Sequence, residues 1–192
     1  VNEIKKRHNA SRVLYDYVCN NVSPSEPVSD KLLEANIVKS LGSEYTYEAA
    51  KIAQKLLGAK GFESGHPMSN IAIDIRPFTI FEGNNEMLYA DIFDIFSKAN
   101  DKEKENGVRI DKTQTLYERL LSDSRYIAIN EKFSNIASNI TDFLKSHAIT
   151  DITQIQKVFI GKIISKFFII TQATDDSLIS FLNREMQKDI LD

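Results

Sequence analysis

Cysteine is nearly missing from this 192-residue chain, where Cys19 stands alone. That excludes an internal disulfide and any metal cluster built on cysteine pairs. No Cys/His signature surrounds Cys19, so it reads as a small apolar residue on a helix face rather than a catalytic thiol. Proline and glycine are scarce, at 4 and 7 residues. Period-two alternation of Val and Ile is largely absent, which argues against strands. A surplus of positive charge is also absent. The net charge of −3 gives no reason to expect a nucleic-acid partner. His8, His66 and His147 lie far apart, and none has an i, i+4 partner suited to a metal, so no metal site is expected. The opening VNEIKKRHNA is polar and holds no apolar core segment, so no signal peptide is expected and a cytoplasmic location is. The chain also opens without Met inside a helical pattern, as expected of a piece of a longer protein.

What is present is enough apolar residue, 42%, to build a packed core. Those residues recur three and four apart, and this spacing predicts an all-α fold. Residues 3–20 carry Val13, Leu14, Tyr17 and Val18 in helical register. NNVSPSEPVS at 20–29 reads as a loop. Ser29 is the expected N-cap of a helix over 30–57, with Asp30 in its first turn. Leu33, Ile37, Leu41, Ala49, Ile52 and Leu56 would line one face of it, Gly42 would mark a close helix contact, and Gly58 and Gly61 would end it. Residues 58–79 read as irregular, because Pro67 and Pro77 block helix continuation. A helix from Gly83 or Asn84 to Lys98 follows, with Leu88, Ile92, Ile95 and Phe96 as its stripe.

NDKEKENG at 100–107 is a charge-rich linker. It divides a first module, 1–99, from a second, 111–192, with 100–110 between them. The second module should hold helices near 111–122, 124–146, 151–172 and 175–191, with Asp151 and Asp175 at helix starts. Its strongest segment, IQKVFIGKIISKFFIITQ at 155–172, has two readings. It can be the core helix of a small bundle, or a helix in peripheral contact with a membrane surface, with lysines at the rim.

One short stretch carries chemistry. In IFEGNNE, 80–86, Glu82 sits between the bulky pair Ile80 and Phe81 and the glycine Gly83. On the tetrapeptide alone it is a helix-start carboxylate or a catalytic base. The surrounding spacing adds more. Gly58, Gly61, Phe62, Pro67, Asp74, Arg76, Ile80, Phe81, Glu82 and Gly83 fall in the order and spacing of a known pattern. That pattern runs Q-x-x-G-G-x-G-[FY], then Pro, then R-D-x-[RK], then I-[YF]-E-G-T. It resembles the C-terminal helical domain of the acyl-CoA dehydrogenase family.

The resemblance implies an up-and-down helical bundle, incomplete at its N-terminus here, followed by a small helical extension. It implies a flavin enzyme that turns a fatty acyl thioester of coenzyme A into the 2-enoyl thioester. Glu82 would be the base for the alpha proton, and such a base must be close, aimed and poorly solvated. Gly83 would let the backbone pass close to the ligand. FAD would lie against Lys55, Gly58, Ala59, Gly83, Asn84 and Glu86, supplied in part by domains beyond this chain. A homo-oligomer is implied, because the family's helical domains meet at the subunit interface. The sequence departs from the pattern at several of these positions. Lys55 stands where the family has Gln, with Gln54 one step away; Ala59 replaces the second Gly, Ile73 the Arg, Asn84 the Thr, and Glu86 a neutral Gln. A second reading follows from these departures: a non-catalytic helical module that dimerises or binds a partner and has lost flavin. His66 lies in the loop before Pro67 near the implied ligand, and Arg76 would hold an anion or pair with Asp74.

Overall fold

The computed structural model describes residues 1–23, 25, 27–98, 114–123, 125–126, 136–149 and 152–191. Among these the fold is all-α, as expected, with one isolated bridge between Thr115 and Ala148. The chain divides into two compact units, Val1–Leu88 and Tyr89–Asp192. This division falls inside a helix, whereas the sequence pattern places it at 100–110, which lies outside the described residues.

The first unit is built on α1 (Asn2–Asn21) and α2 (Leu32–Leu56). Ala10 and Leu14 of α1 are buried, as are Leu33, Ile37, Leu41 and Tyr45 of α2. These spacings place one apolar stripe on each helix. The two helices run antiparallel, because Arg7 pairs with Glu48 at 2.7 Å while Leu14 lies beside Gly42. A Cβ on Gly42 would stand 4.0 Å from the Leu14 side chain, an ordinary contact, so Gly42 does not mark a close approach. The stripe also turns as α2 proceeds. Ala50 is buried while Leu56 is 59% exposed.

Two expectations about helix starts need correction. Ser29 does not cap α2. It lies in a 3-10 turn, Val28–Lys31, that feeds directly into Leu32 with no side-chain cap. Such a turn tightens the entry and uses backbone groups in place of a cap. Pro67 does not block a helix either. It begins α3 (Pro67–Ile75), with His66 as N-cap. Proline suits the first helical position, where its missing N–H has no partner to lose. Pro77 sits in a further 3-10 turn, Arg76–Thr79. The chain from α3 onward returns antiparallel along α2, because Gln54 bonds Ser69 at 3.3 Å and Tyr47 bonds Arg76 at 3.1 Å.

Helix α4 (Asn85–Phe96) carries the chain across the division. From Tyr89 onward it belongs to the second unit, with Tyr89, Ile92, Phe93 and Phe96 buried. That unit adds α5 (Leu116–Ser122), α6 (Ser138–Ser146), α7 (Gln154–Gln172) and α8 (Asp176–Leu191). The expected start at Asp151 lies outside the described residues. Thr153 instead forms a capping box with Gln156 at the start of α7, as Thr115 does with Glu118 at α5. Asp175 accepts from the Ser177 amide at 2.9 Å and so serves α8 as expected.

Helix α7 is the core helix of this unit. Ile160, Ile163, Ile164 and the run Phe167–Ile170 are buried. Its lysines are used inside the unit: Lys157 pairs with Asp94 at 2.7 Å, Lys162 lies over the Tyr89 ring, and Lys166 pairs with Asp189. Of the two readings of 155–172, the core helix is the one this burial describes, while Ile155 at its start is exposed. No helix among the described residues is long and apolar enough to cross a membrane.

Candidate active site

After the Arg76–Thr79 turn, the chain reaches the Glu82–Gly83 pair before α4 begins. Glu82 has φ +59°, the one positive value at a non-glycine position among the described residues, and Gly83 follows at +105°. A left-handed side-chain-bearing residue costs about 1–2 kcal/mol, and such strain persists only where the surroundings over-determine it. The turn throws the Glu82 side chain outward, where it is exposed. Helix capping falls to another residue. Asn84 Oδ1 accepts from the Glu86 amide at 3.0 Å, and Glu86 supplies the acidic side chain of the first turn. Glu82 is thus not the residue that starts α4.

The surroundings come from α2. Asn85 is buried, and its Nδ2 donates to the Ser40 carbonyl at 2.9 Å and to Ser43 Oγ at 3.0 Å. Lys39 Nζ donates to Asn85 Oδ1 at 2.9 Å and also to the Gly83 carbonyl. Burial holds the Lys39 amine below the ordinary lysine range, and the negative charge of Glu82 acts against that shift. The Leu88 side chain closes on Gly83, where a Cβ would stand 3.2 Å from Leu88 Cδ2. Sequence reasoning missed Lys39, Ser40, Ser43 and Asn85. The signal available was weak: small and polar residues one helical turn apart on an otherwise apolar face of α2.

Ile80 and Phe81 do not dry the carboxylate. They are 50% and 66% exposed, so this chain alone leaves the site open, and water exclusion falls to whatever covers that face. The other expected ligand residues lie elsewhere. Lys55, Gly58 and Ala59 are exposed at the far end of α2. From Lys39 and Ser43 to Lys55 the helix rises about 20 Å at 1.5 Å per residue. Glu82, Gly83, Asn84 and Glu86 therefore gather at one place and Lys55, Gly58 and Ala59 at another. Gly58 adopts φ +57° with nothing within 4 Å of a Cβ built on it, so the backbone there is open to a ligand. Gln54 is otherwise engaged. Its Nε2 donates to the Gly61 carbonyl at 3.2 Å and the Ser69 carbonyl at 3.3 Å, clipping the loop onto α2.

Arg76 turns to Tyr47 rather than to Asp74: it donates to the phenol oxygen at 3.1 Å and stacks on the ring, which Lys51 also approaches. His66 spends Nδ1 on the Met68 amide at 3.1 Å, which requires that nitrogen to be unprotonated. His147 stacks on Phe143 with its Nδ1 at 2.9 Å from the Phe143 carbonyl.

The IFEG stretch thus forms a left-handed glutamate–glycine pair just ahead of a helix, a backbone conformation that its spacing did not foretell. Residues 3–95 match the family model of the acyl-CoA dehydrogenase C-terminal domain. That part of the chain belongs to the acyl-CoA dehydrogenase C-terminal domain family, and the match closes before α5 begins. No curated protein and no solved structure matches the chain.

Proposed function

We propose that this chain is the C-terminal part of a flavin-dependent acyl-CoA dehydrogenase in which Glu82 is the base. The observation that carries the reading is the left-handed Glu82, held out from the surface by a grip that serves no helix cap. Glu82 takes the alpha proton of a bound acyl thioester as the beta carbon gives up a hydride, which leaves the 2-enoyl thioester. When bound, FAD supplies the acceptor for that hydride. Ile80 and Phe81 form the apolar border against which an acyl chain loses water.

The residues present fit a dinucleotide in two pieces. Lys55, with the open backbone at Gly58 and the exposed Ala59, suits a phosphate. Gly83, against which Leu88 packs, keeps the turn compact beside Glu82, where a flat ring would stand. Glu86 is an exposed anion and repels phosphate, so it stands outside this assignment, as does Asn84, whose Oδ1 caps α4. With the two pieces about 20 Å apart along α2, one copy serves two cofactor sites, as in a homo-oligomer where each subunit completes its neighbour's.

A second reading draws on the exposed row Phe62, Ile73, Phe78, Ile80 and Phe81: a helical assembly module that binds a partner and no flavin. One experiment separates the two. The complete protein is purified, its visible spectrum is recorded, and acyl-CoA thioesters are added. The dehydrogenase reading expects flavin absorbance that bleaches with substrate and stays unbleached in Glu82→Gln. A folded, colourless protein that takes up no FAD would sink it and favour the assembly module.

A further inference from the structure

The grip on the Glu82 turn depends on one cation. Gly83 presents its carbonyl and Asn85 its Oδ1 to the same ammonium, that of Lys39. These two acceptors flank Asn84, so a single donor pins both ends of the turn. Asn85 is itself fixed to α2 through the Ser40 carbonyl, 2.9 Å away, and Ser40 is fully buried. The turn is therefore anchored to a rigid helix at each side, while Lys39 alone joins Gly83 to that anchor among the bonds just described. Lys39 also lies close enough to Glu82 for their charges to interact.

We propose that Lys39 is a positioning residue for Glu82, fixing the left-handed backbone from which the carboxylate reaches an acyl thioester. The inference rests on Glu82 being the base. Without the ammonium, two carbonyl-type oxygens lose their shared donor, and the strained φ of Glu82 relaxes toward the negative region that other residues occupy. That rotation swings the carboxylate away from its aim. Misplacement of a reacting group by about 1 Å costs about a hundredfold in rate. Substrate binding, set by surfaces that Lys39 does not form, changes little.

The test uses Lys39→Met and Lys39→Arg in the complete protein, with two readouts. The first is amide hydrogen exchange across residues 83–87, taken without flavin or substrate. The second is the rate of flavin bleaching as a function of acyl-CoA concentration, which separates the maximal rate from the apparent Kd. Lys39→Met is expected to raise exchange at 83–87 about tenfold, as local opening becomes easier. It should slow bleaching by about ten- to a hundredfold while leaving the apparent Kd within about threefold. Lys39→Arg, which keeps charge and donors, should recover most of both. Unchanged exchange in Lys39→Met, or an unchanged bleaching rate, would overturn the role of Lys39 even though Glu82 remained the base. A wild type that holds FAD and never bleaches would remove the base itself, and the positioning role with it, whatever the exchange shows.

Discussion

The two units treat apolar side chains in opposite ways. In the first, Tyr15, Leu32, Leu56, Leu57, Phe62, Ile73, Phe78, Ile80, Phe81 and Met87 are all exposed. In the second, Ile155 is the one large apolar side chain among the described residues that stands equally open. The second unit turns its apolar and even its charged groups inward, with Arg119 and Asp123 at 1% and 0% exposure. The first fixes its irregular stretches with polar clips: Gln54 on the 58–69 loop, Lys39 and Asn85 on the Glu82 turn, Tyr47 on Arg76. Large apolar side chains left exposed in this number offer material for docking wherever they gather into a patch. The first unit is built to present a surface, and the second to close on itself.

The largest expected effect would sharpen that contrast. Arg119 donates to the Phe96 carbonyl at 2.9 Å and the Lys98 carbonyl at 3.2 Å, tying α5 to the end of α4, and pairs with Asp123 at 3.3 Å. Asp123→Asn removes the carboxylate that faces a buried guanidinium. Arg125, the other partner of Asp123, can turn to water; Arg119 cannot. Breaking a buried pair in this way costs about 3–5 kcal/mol. Urea unfolding followed by circular dichroism should show it as a large drop in midpoint. A loss under about 1 kcal/mol would mean that the second unit is not held by its buried polar core.

Much of this architecture was legible because helices announce themselves by spacing. The 3–20 pattern became Asn2–Asn21, and the 175–191 pattern became Asp176–Leu191. What escaped was capping. Thr153 with Gln156 and Thr115 with Glu118 follow the T-x-x-[EQ] form, so those helix starts were readable and were placed too early. The α3 helix was hidden by treating Pro67 as a breaker, when its position after a capping side chain makes it a starter. At the candidate site, Glu82 and Gly83 stood out through their ordered neighbours. The grip did not, because Lys39 and Ser40 precede Asn85 by some 45 residues and nothing in local spacing links them. Long-range polar contacts of this kind leave no periodic trace.

A smaller effect tests how tightly the second unit is closed. Gly161 lies where α7 meets α4 at Tyr89, and a Cβ there would stand 2.0 Å from the Tyr89 carbonyl oxygen. Alanine in the middle of a helix is ordinarily better than glycine by about 1 kcal/mol. Here the helix backbones must move apart, and overpacking of this kind costs about 1–3 kcal/mol. Gly161→Ala should therefore destabilise the protein against its own helix propensity, by about 1–2 kcal/mol in the same urea titration. A stabilised Gly161→Ala would show that the α4–α7 crossing has slack and that the second unit is less tightly packed than its burial suggests.

The smallest effect could break the comparison outright. Phe78 is 63% exposed on the first unit, in the row of exposed apolar residues that precedes Glu82 in the sequence. If this row presents a surface, Phe78→Ser removes little that the unit uses for its own stability. Exposed positions of this kind change folding free energy by within about 0.5 kcal/mol. The same substitution should weaken whatever assembly the complete protein makes through that row, because a buried Phe contributes about 1.5–3 kcal/mol through apolar area alone. Two measurements belong together: urea unfolding for stability, and sedimentation velocity across a dilution series for assembly. Unchanged unfolding with a shift toward smaller species would identify the row as a working interface. A drop in stability of about 2 kcal/mol, the scale of a side chain taken from a packed core, would mean that Phe78 belongs to the first unit's own core. The difference between an outward-facing unit and a closed one would then rest on the polar clips alone.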